Sequence, residues 1–355
     1  MTIGGLAVTG LGATVPVHDP ATEKTLAEIR LADEAQVHAA VRAAEMAFTE
    51  GSWASLAPAD RSAALYRLAA GIEARFDELV TSIVYEVGTP VTLARALQVQ
   101  IPLDLLREYA RLAAIDRTEQ LGPSFGPPSA SLVRYAPVGV VAALVAYNYP
   151  LFLGIHKIGA ALAAGCTVVA MPSVSAPLTM LLLGEIGRDA DLPPGVLNVI
   201  TGGPEVGRML TESDRVSMVS FTGSVAVGAE VAKQAARGLK RCVLELGGKS
   251  PNVLLPGTDV QAAAEAVHLR YLRNAGQGCA SPTRILVDQS QLSSFIDASR
   301  EVFAGVRTGD PWDTGTVVGP LISAAHRDRV EGYVASALSE GGSIIAGGGR
   351  PANNT

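Results

Sequence analysis

The sequence lacks the close-set cysteines and histidines that a structural zinc site or a disulfide framework requires. Its 3 cysteines (Cys166, Cys242 and Cys279) lie far apart, and its 5 histidines form no paired motif, so no metal and no disulfide scaffold are expected. An excess of positive charge is also missing. Lys and Arg number 28 against 34 Asp and Glu, for a net charge of −6, and no basic run is interleaved with aromatics. That balance removes the electrostatic reason to expect nucleic acid or an anionic membrane as a partner. Long apolar runs are absent too: the stretches near 138–146 and 159–171 are broken or bounded by Gly, Asn, His or Lys and fall short of a membrane span. The opening MTIGGLAVTG has no basic n-region and no sustained apolar segment, so a signal peptide is not expected and a cytoplasmic location is. What the chain does have is apolar bulk. Hydrophobic residues make up 48% and charged residues 17% of 355 positions, which excludes disorder over most of the length and provides for two domains with their own cores.

The first part reads as helical. Val37, Val41, Ala44 and Phe48 recur every three to four positions, as do Leu65, Leu68, Ile72, Phe76, Leu79 and Ile83, with Pro58 and Asp60 as start signals for the second pattern. The segment 121–137 is rich in Gly, Pro and Ser and predicts an irregular arm or hairpin. From Val138 short apolar runs predict buried strands at 138–146, 167–171, 196–200, 217–221 and 241–246. The helical stretches between them are long enough for crossovers, which predicts an α/β doubly wound parallel sheet. A second set follows: strands at 251–255, 283–287 and 343–346, and helices at 259–275, 292–305 and 324–340.

Among the cysteines, Cys166 and Cys242 sit beside strand-like runs, where a small buried thiol is expected. Cys279 lies in NAGQGCASPTR, with Gly276 and Gly278 before it and Pro282 after it. Glycine on such a turn lets the backbone approach a ligand, and a thiol there can receive N–H donors that lower its pKa and hold an oxyanion. The residues alone leave it open between a core thiol and a nucleophile. Glu245 ends the run RCVLEL before Gly247 and Gly248; a carboxylate there is expected to be partly desolvated and suited to a general base, with a plain loop glutamate as the alternative. The turn FTGSVAVG, with Gly223, Ser224 and Gly228, places a helix N-terminus where a diphosphate can sit, although it is not the G-x-G-x-x-G fingerprint. Asn148, in AYNYPLFL, can donate to an oxyanion from a strand's carboxyl end or simply form a turn before Pro150.

The runs AYNYPL (146–151), FTGS (221–224), LELGGKSPN (244–252), NAGQGC (274–279) and GPLIS (319–323), with their order and the spacing from Glu245 to Cys279, resemble the aldehyde dehydrogenase superfamily. The resemblance spans nearly the whole chain. It implies a Rossmann-like NAD(P)-binding domain over 1–247 with a β-hairpin oligomerisation arm about 119–137, and a catalytic domain beginning at 248 and incomplete at 355. By the same resemblance Cys279 would be the nucleophile, Glu245 the base, and Asn148 with the Cys279 N–H the oxyanion hole. Tyr147, Met171, Gly223, Ser224, Gly228 and Leu246 would line the cofactor cleft, NAD or NADP would take the hydride, and a small aldehyde would leave as its carboxylic acid. A homodimer or homotetramer would be expected. Tyr147, Tyr149 and Leu151 near the access tunnel point to an apolar, even aromatic, aldehyde.

Two departures from the family pattern stand out. Its Lys-Pro-x-Glu, which holds the adenosine ribose, is replaced by Met171-Pro172-Ser173-Val174, so weak cofactor binding without preference between NAD and NADP is expected. The family's chains also continue for well over a hundred residues. The resemblance therefore implies a C-terminally truncated product with little activity by itself and a compromised oligomer interface. The alternatives are a degenerate, non-catalytic homologue and an acyl hydrolase using Cys279, Glu245 and Lys249 without redox chemistry.

Overall fold

Most of the strand runs and helices set out from the sequence form in the computed structural model, which describes residues 1–122 and 131–351. The chain divides into two contact units. One comprises Met1–Val15, Ile29–Leu79 and Val99–Glu245; the other comprises Pro16–Glu28, Val80–Gln98 and the chain from Leu246 onward. Two segments of the first hundred residues thus join the second unit, although the sequence reading assigns the whole of 1–247 to one domain.

Four short strands open the chain: β1 (Thr2–Ile3), β2 (Leu6–Ala7), β3 (Thr14–His18) and β4 (Thr25–Arg30). Helices α1 (Glu34–Thr49), α2 (Pro58–Ala74), α3 (Phe76–Val87), α4 (Val91–Leu93) and α5 (Ile101–Ala113) follow. Asp33 starts α1 with a capping box closed by Gln36, satisfying two otherwise unpaired backbone donors. The continuous apolar pattern from Leu65 to Ile83 is in fact two helices. They break at Arg75, whose guanidinium bonds Glu78 and Glu185. Strands β5 (Glu119–Leu121) and β6 (Ser131–Val133) pair antiparallel, as the expected hairpin requires; 123–130 lie outside the described residues.

The five predicted strands of the first unit all form. They are β7 (Val140–Val145), β8 (Thr167–Pro172), β9 (Leu197–Val199), β10 (Val216–Gly223) and β11 (Arg241–Leu246), with α6 (Pro150–Ala163), α7 (Leu178–Asp189), α8 (Pro204–Glu212) and α9 (Val225–Ala236) between them. Every residue of β7 is buried, which is why it reads as an unbroken apolar run rather than an alternating one. Among the described residues these strands make one sheet in the order β11-β10-β7-β8-β9-β1-β2. The pairs β10/β7, β7/β8 and β8/β9 are parallel, and β1 runs antiparallel to β9. From β7 the chain winds outward through β8 and β9, then returns to place β10 on the other side. A doubly wound sheet opens a crevice at that switch point, beyond the carboxyl ends of its strands.

In the second unit β12 (Pro251–Leu254), α10 (Val260–Tyr271), β13 (Arg284–Val287) and α11 (Leu292–Ala304) form a parallel pair with its crossover, followed by α12 (Ala324–Ser339). Leu254, Ala264, Phe295 and Ala298 make the core, with Ile285 and Val287 against it. Val253 and Leu286, one position out of phase, are exposed, as a two-residue period demands. The strand expected at 343–346 does not form. Among the described residues the sheet here has two strands, β12 and β13, and Ile344 and Ile345 are exposed.

Candidate functional site

The crevice of the first unit gathers most of the residues singled out from the sequence. Register places Phe221 beside Leu144 and Leu144 beside Met171, so the strand ends carrying Gly223, Tyr147 with Asn148, and Met171 lie along one edge of the sheet. Asn148 is buried in the turn from β7 to α6. Pro150, the first residue of α6, needs no N–H partner there and has its φ preset for the helix.

At the next strand end Gly223 lies against the Phe221 ring: a Cβ would stand 2.3 Å from the ring tip and would displace it. Ser224 then caps α9, its Oγ accepting from the Val227 N–H at 3.3 Å, and the buried Gly228 donates its N–H to the Ser224 carbonyl at 2.9 Å. On the same first turn Val225 and Val227 are exposed at 60% and 50%. An anion-attracting helix start beside uncovered apolar side chains fits the diphosphate and ring systems of a dinucleotide.

Glu245 ends β11, the strand at the edge of the sheet, and is exposed. The expected desolvation is therefore absent. Cys242 of the same strand is exposed as well, against expectation, whereas Cys166 is buried. An edge strand has a neighbour on one side only, so its apolar sequence does not ensure cover. Leu151 is also corrected: it is fully buried in the first turn of α6 and belongs to the core, not to an accessible tunnel wall. Tyr149 packs edge-on against Phe152, ring centroids 6.3 Å apart, and burial pushes the Tyr147 phenol up.

One buried residue of α6 escapes the sequence reading. Lys157 is a lone cation in the apolar helix PLFLGIHKIGAALA, and it is buried, with its Nζ donating to Ser220 Oγ at 3.2 Å. Burial pushes its pKa down to about 8, opposed by the Glu245 carboxylate. The neighbouring His156 is lowered by burial and then by Lys157. A charged residue inside an apolar helix is itself the signal that could have revealed it.

The depressed value carries a stability consequence. Lysine normally titrates at 10.5, so below about pH 8 both folded and unfolded chains hold the proton and the folded chain bears the full cost. The cost fades as pH rises from 8 through 10.5, above which both forms are neutral. Lys157→Met is therefore expected to stabilise the protein by up to about 3 kcal/mol at pH 7, with the gain shrinking between pH 8 and 10.5. Denaturant melts at pH 7 and 10 check this; a destabilised variant at pH 7 would contradict it.

In the second unit, α10 ends at Tyr271 and a 3₁₀ turn follows over Arg273–Gly276. Asn274, Ala275 and Gly276 have φ of 52°, 54° and 75°, three left-handed residues in succession. Cys279, just beyond, is exposed. The backbone of Gly248 runs close by: a Cβ there would meet the Cys279 carbonyl at 4.0 Å. The Lys249 carbonyl accepts from Arg284 Nε at 2.7 Å. The segments LELGGKSPN and NAGQGC are thus neighbours in this unit, with Leu246 half-buried at its start.

Known proteins resemble the chain over nearly its whole length. The family model for the aldehyde dehydrogenase family matches residues 8–355. Geranial dehydrogenase of Castellaniella defragrans is 38% identical over 329 residues, covering 93% of this chain and 68% of that protein. Among solved structures, an aldehyde dehydrogenase of Mycobacterium tuberculosis complexed with NAD+ is 39% identical, with a TM-score of 0.95 over 99% of this chain and 72% of that one. A mutant of aldehyde dehydrogenase C from Pseudomonas syringae, complexed with NAD+ and octanal, is 35% identical, with a TM-score of 0.94 over 99% and 72%. The chain belongs to the aldehyde dehydrogenase family, and with it to the NAD(P)-dependent oxidoreductases that act on aldehydes. Among the described residues no helix is long and apolar enough to cross a membrane.

Proposed function

We propose that this chain oxidises an apolar aldehyde to its carboxylic acid through a covalent bond to Cys279. The observation that carries the reading is the exposed Cys279 on its left-handed glycine turn, in a family member whose crevice presents Asn148, Ser224 and Glu245 at adjacent strand ends. The Cys279 thiolate adds to the carbonyl carbon, and the Asn148 amide with the Cys279 N–H holds the oxygen as it gains charge. Addition makes the carbon tetrahedral, and the collapsing oxyanion expels hydride and leaves a thioester on Cys279. Bound NAD(P) supplies the hydride acceptor. Glu245 then removes a proton from water, which attacks the thioester and frees the acid. Lys157, whose pKa burial pushes down to about 8 against the pull of the Glu245 carboxylate, is the proton acceptor that follows in this reading.

Tyr147, Met171, Gly223, Ser224, Gly228 and Leu246 line the cofactor cleft in this reading. Met171 and Val174 offer no polar hold on a ribose. Restoring one, as Met171→Lys with Val174→Glu, is expected to tighten NAD binding on the order of tenfold, read by calorimetry. Low-micromolar binding by the unaltered chain would remove the premise. The names of two relatives, acting on geranial or holding octanal, support an apolar substrate. The deciding experiment is an aldehyde panel, octanal and geranial beside benzaldehyde, with NAD and NADP and a Cys279→Ser control. Reduced cofactor from the unaltered chain alone supports the reading; equal rates in both sink it.

A further inference from the structure

The three left-handed residues before Cys279 are held from both sides by groups distant in sequence. Left-handed backbone is unfavourable for Asn274 and Ala275, whose Cβ atoms crowd the following carbonyl, and such a turn persists only where its surroundings over-determine it. Thr89, Gln98 and Asn274 are all buried, with exposures of 0%, 0% and 1%. The Thr89 hydroxyl donates to Asn274 Oδ1 at 2.7 Å and accepts from Gln98 Nε2 at 2.7 Å, so a single oxygen is used in both directions.

From the other side, Gln277 Nε2 donates to the Asn274 carbonyl at 3.0 Å, and Gln277 Oε1 accepts the Ile322 N–H at 3.1 Å. Ile322 lies in the GPLIS run. The same run closes on the segment that carries Thr89: a Cβ on Gly319 would stand 2.3 Å from the Gly88 carbonyl oxygen, and one on Gly88, whose φ is +74°, 2.4 Å from Pro320. The GPLIS run thus ties the threonine side of the clamp to the glutamine side.

We infer that Thr89 is a positioning residue for the nucleophile turn: through Asn274, and with Gln277 and Ile322 opposite, it holds 274–276 left-handed and so fixes where Cys279 is presented. The inference rests on the reading of Cys279 as the nucleophile, but its principal test does not. Hydrogen exchange would be followed in the full chain for peptides spanning 273–283, β12 and β7, in the unaltered protein, Thr89→Val and Thr89→Ser. Valine keeps the shape and removes the hydroxyl; serine keeps the hydroxyl. The expected result is exchange at least tenfold faster across 273–283 in Thr89→Val, with β12 and β7 unchanged and full protection in Thr89→Ser. Acylation of Cys279 by nitrophenyl acetate, read on its own peptide, should slow about tenfold in the valine variant and recover in the serine variant.

Unchanged turn exchange in Thr89→Val would overturn the inference. So would equal loss in Thr89→Ser, or loss spread evenly through β12 and β7, which would report general loosening. Failure of the nucleophile reading appears separately, as acylation elsewhere on the chain with the exchange pattern intact.

Discussion

Cys279→Ala is expected to lower reduced-cofactor formation with an apolar aldehyde by about a thousandfold or more, leaving only uncatalysed background. The size follows from chemistry, not packing. Without the thiol no tetrahedral adduct forms, and an aldehyde carbon with trigonal geometry is a poor hydride donor. Because the side chain is exposed, its truncation leaves no cavity, and stability should stay within about 0.5 kcal/mol of the unaltered protein. Stopped assays paired with a melt separate the two effects. A variant that loses activity and stability together would point to a structural role for Cys279.

Glu245→Gln is expected to behave differently in time. The first turnover, which ends at the thioester, should remain, while steady-state turnover falls about 100- to 10,000-fold for want of a base to activate water. The signature is a burst of reduced cofactor near one per chain followed by a flat line. The glutamine is isosteric and sits at an exposed position on the edge strand, so folding is spared. Removal of the carboxylate also takes away the charge that raises the Lys157 pKa, which should fall further. Loss of the burst along with the steady state would assign Glu245 to the first half of the reaction instead.

The legible parts of this protein are those whose cause is local. Strands β7 to β11 stand out because buried parallel strands are apolar along their length, and Cys279 stands out through the glycines around it. Strands β1 and β2 do not, being two residues each and too short to show a period. At 343–346 an apolar run is read as a strand although no strand pairs with it among the described residues. Burial on β11 fails for a related reason: composition reports that a strand is apolar, not that it lies at an edge. Lys157 is local but easily passed over as one charge in a helix. The Thr89 to Asn274 bond joins residues 185 positions apart, and no periodicity connects them. The sheet order, which sets Gly223 and Asn148 on one crevice, likewise exists only once the chain has wound twice.

The central claim is that aldehyde carbon becomes acyl carbon on one sulfur atom. Its most direct test is acid quenching of the protein with octanal and NAD during the first turnover, followed by peptide mass mapping. The predicted result is a mass gain on the Cys279 peptide equal to the aldehyde less two hydrogens, dependent on NAD and absent from Cys166 and Cys242. A gain equal to the whole aldehyde, or an adduct on any other residue while reduced cofactor accumulates, would contradict the account.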